Sequence, residues 1–236
     1  MQLSPAATLL VGLLTSPALA QSVTFNFNNA PPSTPLPITV NAGGIGANLS
    51  GTMQGFSVQQ ANVMGFTPVG FSGLCIYPSS VFPADLNVSF TKTLTSFSIL
   101  CAVQDLYCDD GATMKVTAKM NGTIVGTATA TAPPDFYWPT TTLSITVPGG
   151  FNSVTVHYQS PPPGCGDWGP IFMADNMVVT LAPSPVGDIN GDAHVNAADL
   201  GLLLGAWGTS NATSDLDHNG VVDAADLSIL LGGWTG

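Results

Sequence analysis

The 236-residue chain contains no glutamate and no arginine. Its acidic set is aspartate alone, and its basic set is Lys92, Lys115 and Lys119. Charged residues make up 7% of the chain, so no basic patch can form to meet a phosphate backbone or an anionic bilayer. The net charge of −11 repels both, which excludes nucleic acid as a partner. A cation, a neutral polysaccharide or another protein is left. Acid–base chemistry would have to rest on Asp or on one of the three His. Long apolar runs are also missing beyond the first twenty residues, which argues against membrane insertion.

Residues 1–20 read as an export signal. An apolar stretch from Ala6 to Leu14 leads to Ala18-Leu19-Ala20, an A-x-A cleavage pattern before Gln21. The expected location is therefore secreted or cell-surface. Four cysteines follow, Cys75, Cys101, Cys108 and Cys165, with no C-x-x-C spacing. In an exported chain an even number reads as two disulfides, and three pairings are open. The local choice joins Cys101 to Cys108 and leaves Cys75 for Cys165.

The composition changes near residue 184. Residues 21–181 are rich in Thr, Ser, Gly, Pro and β-branched residues, 182–187 form a Pro-containing linker, and 188–236 are dominated by Asp, Asn, Ala and Leu. The first region alternates in the manner of strands. Val23, Phe25 and Phe27 interleave with Thr24 and Asn26, and Met114, Val116, Ala118 and Met120 with Lys115, Thr117 and Lys119. Asn121-Gly122 suits a type I′ hairpin turn between that strand and Thr123 to Ala130. A second hairpin is expected from Leu143 to Val147 through Pro148-Gly149-Gly150 to Phe151–Tyr158, with further strands at Leu86–Phe90, Leu94–Val103 and Ile171–Leu181. Eight to ten strands predict a mainly β fold, a β-sandwich of jelly-roll type, followed by a small α-helical module.

That small module repeats itself. Asp188 to Leu200 aligns with Asp215 to Leu227, an offset of 215 − 188 = 27 residues. A calcium ion takes six to eight oxygens, and a 12-residue loop supplies them from positions 1, 3, 5, 7, 9 and 12. In the first repeat these are Asp188, Asn190, Asp192, the carbonyl of His194, Asn196 and Asp199. In the second they are Asp215, Asp217, Asn219, the carbonyl of Val221, Asp223 and Asp226. Two Ca2+ ions are therefore expected. Position 8, Val195 or Val222, is apolar and can turn inward to join the loops. Helices are predicted from near Ala197 and Ala224, with Leu200, Leu203, Leu204 and Trp207 on one face and Leu227, Leu230, Leu231 and Trp234 on its counterpart. Such short helices are unstable alone, and clustered carboxylates repel, so folding should be coupled to metal.

Residues 188–234 resemble the type I dockerin module, which has two loop–helix repeats without the leading helix of an EF-hand. The resemblance implies two antiparallel helices, two calcium ions held by the positions just given, and docking to a cohesin domain, often within polysaccharide-degrading assemblies. The chain departs from that pattern in two ways. Position 6 is Gly220 in the second loop but Ala193 in the first. Three carboxylates lie at ligand positions of the first loop and four at those of the second, so the second site is expected to bind more tightly. Positions 10 and 11, Ala197-Ala198 and Ala224-Ala225, make any partner surface apolar and its specificity unfamiliar.

The sandwich carries no G-x-S-x-G, and its Asp residues declare no opposed pair for glycoside hydrolysis. His157 lies in a strand pattern and reads as structural, and Asp109-Asp110-Gly111 as a turn. Asp135, Tyr137, Trp138 and Trp168 are the candidate carbohydrate contacts, because aromatic faces beside a carboxylate can stack on sugar rings. Sealing the sandwich ends is the competing role. The strands loosely resemble those of secreted galactose-binding-like jelly rolls. Together these features favour a non-catalytic cargo on a cohesin-like partner over a carbohydrate-active hydrolase or a self-assembling surface protein.

Overall fold

The computed structural model describes residues 21–53, 55–104, 112–133, 138–160, 171–192 and 194–235. The expected export signal, Asp135, Tyr137, Trp168, Cys108, Cys165 and Ala193 lie outside the described residues. The chain is mainly β. The strands are β1 (Ser22–Phe25), β2 (Ile38–Ala42), β3 (Ile45–Gly51), β4 (Phe56–Gln60), β5 (Leu74–Pro78), β6 (Leu86–Val103), β7 (Thr113–Met120), β8 (Thr123–Thr131), β9 (Thr140–Ser160) and β10 (Phe172–Leu181). Helices α1 (Ala197–Gly205) and α2 (Ala224–Gly232) follow.

Two long strands organise the sandwich. β6 and β9 run antiparallel from Leu86↔Val156 to Ala102↔Thr140, with the register disturbed only between Ser89 and Ser96. This corrects the expected hairpin at Pro148-Gly149-Gly150, since the chain bends there and does not reverse. Gly150 has φ +83, and a Cβ on it would fall 2.6 Å from Thr93 Cγ2. A turn-forming sequence thus serves as a bulge at the corner of a sandwich. The two expected strands at 86–90 and 94–103 are likewise one strand, bent at the facing corner.

Each long strand contributes half its length to each layer. One layer runs β2-β3-β6-β9-β7-β8. The other runs β4-β5-β10-β6-β9, with β1 sharing the β5 side of β10. Alternation sends Leu49, Val88, Val116 and Val156 inward from the first layer, and Phe56, Ile76, Ile99 and Phe172 from the second, into one apolar cluster. The β7–β8 hairpin turns as expected, with positive φ at Asn121 and Gly122.

A smaller cluster covers the outer face of the second layer and includes Phe71, Cys75, Ala102, Trp138 and Met173. Cys101 faces the opposite, inner cluster. Cys101 and Ile76 both align with Ala174 of β10, so Cys75 and Cys101 lie on opposite faces with β10 between them. They cannot pair with each other. Both are free thiols in this structure, pushed up to about 12 by burial. Among the described residues no disulfide forms, which corrects the expectation of a bonded framework there.

The C-terminal module has four fully buried apolar side chains, Val195, Leu203, Val222 and Leu230. The expected stripe is buried only along its centre. Leu204, Trp207, Leu231 and Trp234 are 52%, 45%, 52% and 42% exposed. A nine-residue helix turns one narrow strip toward a single neighbouring helix, so the flanks stay in solvent. No helix among the described residues is long and apolar enough to cross a membrane.

Candidate metal centre

Each repeat closes on its last aspartate. Asp199 is buried, and its Oδ1 accepts from the backbone N–H of Ile189 and Asn190 at 2.8 and 3.1 Å while Oδ2 accepts from Asn196 at 3.0 Å. Asp226 repeats this with Leu216, Asp217 and Asp223 at 2.6, 3.1 and 2.8 Å. These aspartates are also the third residues of their helices and complete capping boxes with Asn196 and Asp223. The carboxyl thus welds the two ends of the loop to the start of the helix. Three backbone bonds use three of its roughly four acceptor positions, which leaves about one lone pair for a cation. The backbone N–H of Asp223 leads the bonds that hold the Asp226 carboxyl below the usual carboxylate range, against the opposing cost of burial.

The first aspartate gathers the middle of the loop. Asp188 Oδ1 accepts from Gly191 and Asp192 N–H at 2.6 and 3.0 Å, and Asp215 from Asn219 and Gly220 at 3.1 and 2.8 Å. Asn190 and Asp217 at position 3 accept from the N–H at position 5, and Asp192 and Asn219 from the N–H at position 7. The backbone N–H of His194 leads the contacts that lower the Asp192 carboxyl.

These turns bring carboxylate oxygens of Asp188, Asp192 and Asp199 within 4.8 Å of one another, and those of Asp215, Asp217 and Asp226 likewise. Three carboxylates at that separation repel one another, and a divalent cation among them removes the repulsion. The donor set is all oxygen, as calcium requires, and therefore fits it. The position-9 side chains have a second task, and that of Asn196 also bonds the Asp192 carboxylate. Asn196 and Asp223 cap α1 and α2 by accepting from Ala198 and Ala225 N–H, both at 2.8 Å. The fourth carboxylate counted for the second loop is thus outside its inner cluster, and each inner cluster holds three. His194 and Val221 at position 7 have exposed side chains, as a backbone-donor position allows.

Val195 and Val222 join the repeats by a route that alternation alone does not show. Val222 O accepts from Gly208 N–H and Val195 O from Thr235 N–H, at 2.8 and 2.9 Å. The acceptors and donors are both offset by 27 residues (222 − 195 and 235 − 208), so the module has an internal twofold. Val195 N–H donates to Thr235 Oγ1, whereas Val222 N–H donates to Thr209 O.

Of the carbohydrate candidates, Trp138 is placed in a way that corrects its assignment. It is 4% exposed and stacks on Tyr77 with centroids 6.5 Å apart and planes at 16°. Such a ring seals a core and presents no face to a sugar. His157 is a surface residue whose Nδ1 lies 2.6 Å from Asp85 Oδ1. Asp175 is fully buried and accepts from Ser72 and Asn176 N–H at 3.1 and 2.7 Å. Burial, only partly offset by those bonds, pushes its carboxyl up to about 6.

No protein-family model and no curated protein matches the chain. Among solved structures, the K2 cleaved adhesin domain of Lys-gingipain is 16% identical with a TM-score of 0.41, over 68% of this chain and 100% of that domain. A mutant of a family 29 carbohydrate-binding module is 12% identical with a TM-score of 0.34, over 64% and 89%. The CBM51-2 and INT domains of ZmpB from Clostridium perfringens are 11% identical with a TM-score of 0.34, over 80% and 51%.

Proposed function

We propose that this is an exported, calcium-binding, dockerin-like protein whose C-terminal module docks a non-catalytic sandwich of jelly-roll type to a cohesin-like partner. The observation that carries the reading is the duplicated loop. The same aspartate-to-backbone network occurs at both copies and encloses an all-oxygen cluster each time. An acidic surface without a metal has no need of that duplication. Asp188, Asn190, Asp192, Asp199 and the carbonyl of His194 would hold one ion, and Asp215, Asp217, Asn219, Asp226 and the carbonyl of Val221 the other. Asn196 and Asp223 act through the helix starts. The ions supply the attraction that lets the loops close.

The partner surface is the flank of the helices. Leu202, Leu204, Trp207, Leu231 and Trp234 are about half exposed there, and the module has no Lys or Arg. Aromatic and aliphatic anchors of that kind suit a protein partner. The sandwich is suited to a neutral polysaccharide by the hydroxyl row on its second layer, where Ser22, Thr180 and Ser96 are linked through their hydroxyls across three strands at 3.0 and 2.7 Å. Isothermal calorimetry of the full chain should show two calcium ions per molecule. Capture by an immobilised cohesin should depend on calcium and fall with Trp207→Ala or Trp234→Ala. Calcium-dependent dimers without any cohesin contact would replace the docking reading with self-assembly, and sugar release from a polysaccharide panel would replace the non-catalytic one.

A further inference from the structure

Among the described residues, the sandwich makes a polar contact with the first loop and none with the second. Lys92 sits in the bend of β6, and its Nζ donates to the carbonyl of Gly191 at 2.8 Å, partly buried. Gly191 is at φ +74, and a Cβ there would lie 2.7 Å from that ammonium, so the close approach uses the missing side chain. Beside it, Ala182 N–H donates to Thr93 O at 3.0 Å and ties the linker to the same bend. Three open clefts of about 220, 320 and 240 Å³ flank the contact, and His194 lines two of them. The junction is therefore open to solvent on several sides. Its one charged bond reaches a carbonyl whose position depends on the fold of the loop.

We propose that Lys92 is a seat for the calcium-loaded first loop, so that metal in this loop fixes the orientation of the docking module on the sandwich. The proposal rests on the calcium reading above. The sign follows from order, which here outweighs charge. Filling takes the first cluster from −3 to −3 + 2 = −1, so the attraction on the ammonium is reduced but keeps its sign. Without metal, the loop that presents the Gly191 carbonyl is not held. Seating is then linked to calcium reciprocally: the seat raises the affinity of the first site, and the first site keeps the seat occupied. Among the described residues the second loop has no such bond to the sandwich, although it has the same internal network. The pairing also accounts for which cation is used. Lys115 and Lys119 lie on β7, and Lys92 alone stands at the corner facing the acidic module.

The test uses the full chain, with calcium calorimetry and small-angle scattering on the same samples. Lys92→Met should weaken one of two sites about tenfold, leave the other unchanged, and raise the radius of gyration in calcium by about 1–2 Å as the module swings on its linker. Gly191→Ala, which leaves the sandwich untouched, should show the same loss of seating. Asp188→Ala should unseat the module while the second site stays filled, and Asp215→Ala should leave it seated. Two unaltered sites with an unaltered radius in Lys92→Met would overturn the seat while keeping the calcium reading. Absence of calcium binding in the unaltered protein would overturn the calcium reading, and the seat with it.

Discussion

The two halves of this chain meet the same requirement by opposite means. The sandwich buries rings and branched aliphatics such as Phe56, Phe97, Phe151 and Phe172 between its layers. Its shape is fixed by exclusion of water, and its outer faces need few charges. The C-terminal module buries four apolar side chains and three aspartates, Asp199, Asp215 and Asp226. A core that small cannot offset the entropy of ordering two loops and two helices. Carboxylates that would be a liability in the sandwich become the organising groups there, provided a cation accompanies them. A fold can thus be held by directional oxygen donors where a hydrophobic interior is lacking.

The largest expected effect separates the halves completely. Removing calcium with a chelator should abolish the helical circular dichroism of the module and leave the melting of the sandwich in place. Differential scanning calorimetry should show one calcium-dependent and one calcium-independent transition, the first gaining about 4 kcal/mol per site, about 8 kcal/mol for two ions, at a thousandfold excess over Kd. A single transition that ignores the chelator would end the contrast. The converse test is Phe151→Ala. This ring is fully buried among both layers, so its loss should cost the sandwich about 3–5 kcal/mol and leave calcium affinity unchanged.

How much of this was legible in the sequence differs between the halves for the same reason. In the module each donor type recurs at fixed spacing in two copies, so the loops and the helix starts at Ala197 and Ala224 could be read directly. What could not be read was the turn of Asp223 toward its helix, because spacing gives order along the chain and not the direction of a side chain. In the sandwich, alternation revealed the strands and the Asn121-Gly122 turn. It failed at Pro148-Gly149-Gly150, where turn-forming residues serve a bend whose partner lies more than fifty residues earlier, at Thr93. The role of Trp138 was hidden similarly. Its neighbours Tyr77 and Met173 are distant in sequence, and an aromatic next to Pro looks the same at a sugar site and over a core. Lys92 was seen as one of three cations, but its partner across the module junction was not.

A pH dependence should also sort the halves. The carboxyl of Asp175 titrates near 6 in the sandwich and near 3.9 in an unfolded chain. Between those values the folded state holds the extra proton. Its contribution is therefore present at low pH and is lost as pH rises from about 4 to about 6, with a slope of at most about 1.4 kcal/mol per unit. The sandwich transition, followed with saturating calcium, should carry this slope, and Asp175→Asn should flatten it. A slope that survives the substitution would place the titrating group elsewhere.

Within the module the comparison is between near-identical loops. Each inner cluster has three carboxylates, so the expected advantage of the second site comes from Asp223, which stands outside the cluster as a helix cap. The second site should bind more tightly by about tenfold or less, roughly 1.4 kcal/mol. Asp223→Asn keeps the capping oxygen and should close most of that gap in calorimetry. Equal loss of affinity at both sites would mean that Asp223 acts through the fold and not through its charge.

The smallest effect tests the internal twofold. Val222 N–H is satisfied by a backbone carbonyl, that of Thr209, which no substitution can delete. Val195 N–H depends on the side chain of Thr235 at 2.9 Å. Thr235→Ala leaves the bond from Thr235 N–H to Val195 O in place but strips the donor of its acceptor, at a cost of about 1 kcal/mol. The loss should fall on the first repeat, so hydrogen exchange at Val195 should quicken several-fold while that at Val222 holds. If both amides quickened together, the two repeats would open as one unit, and the closing bonds would belong to the module as a whole.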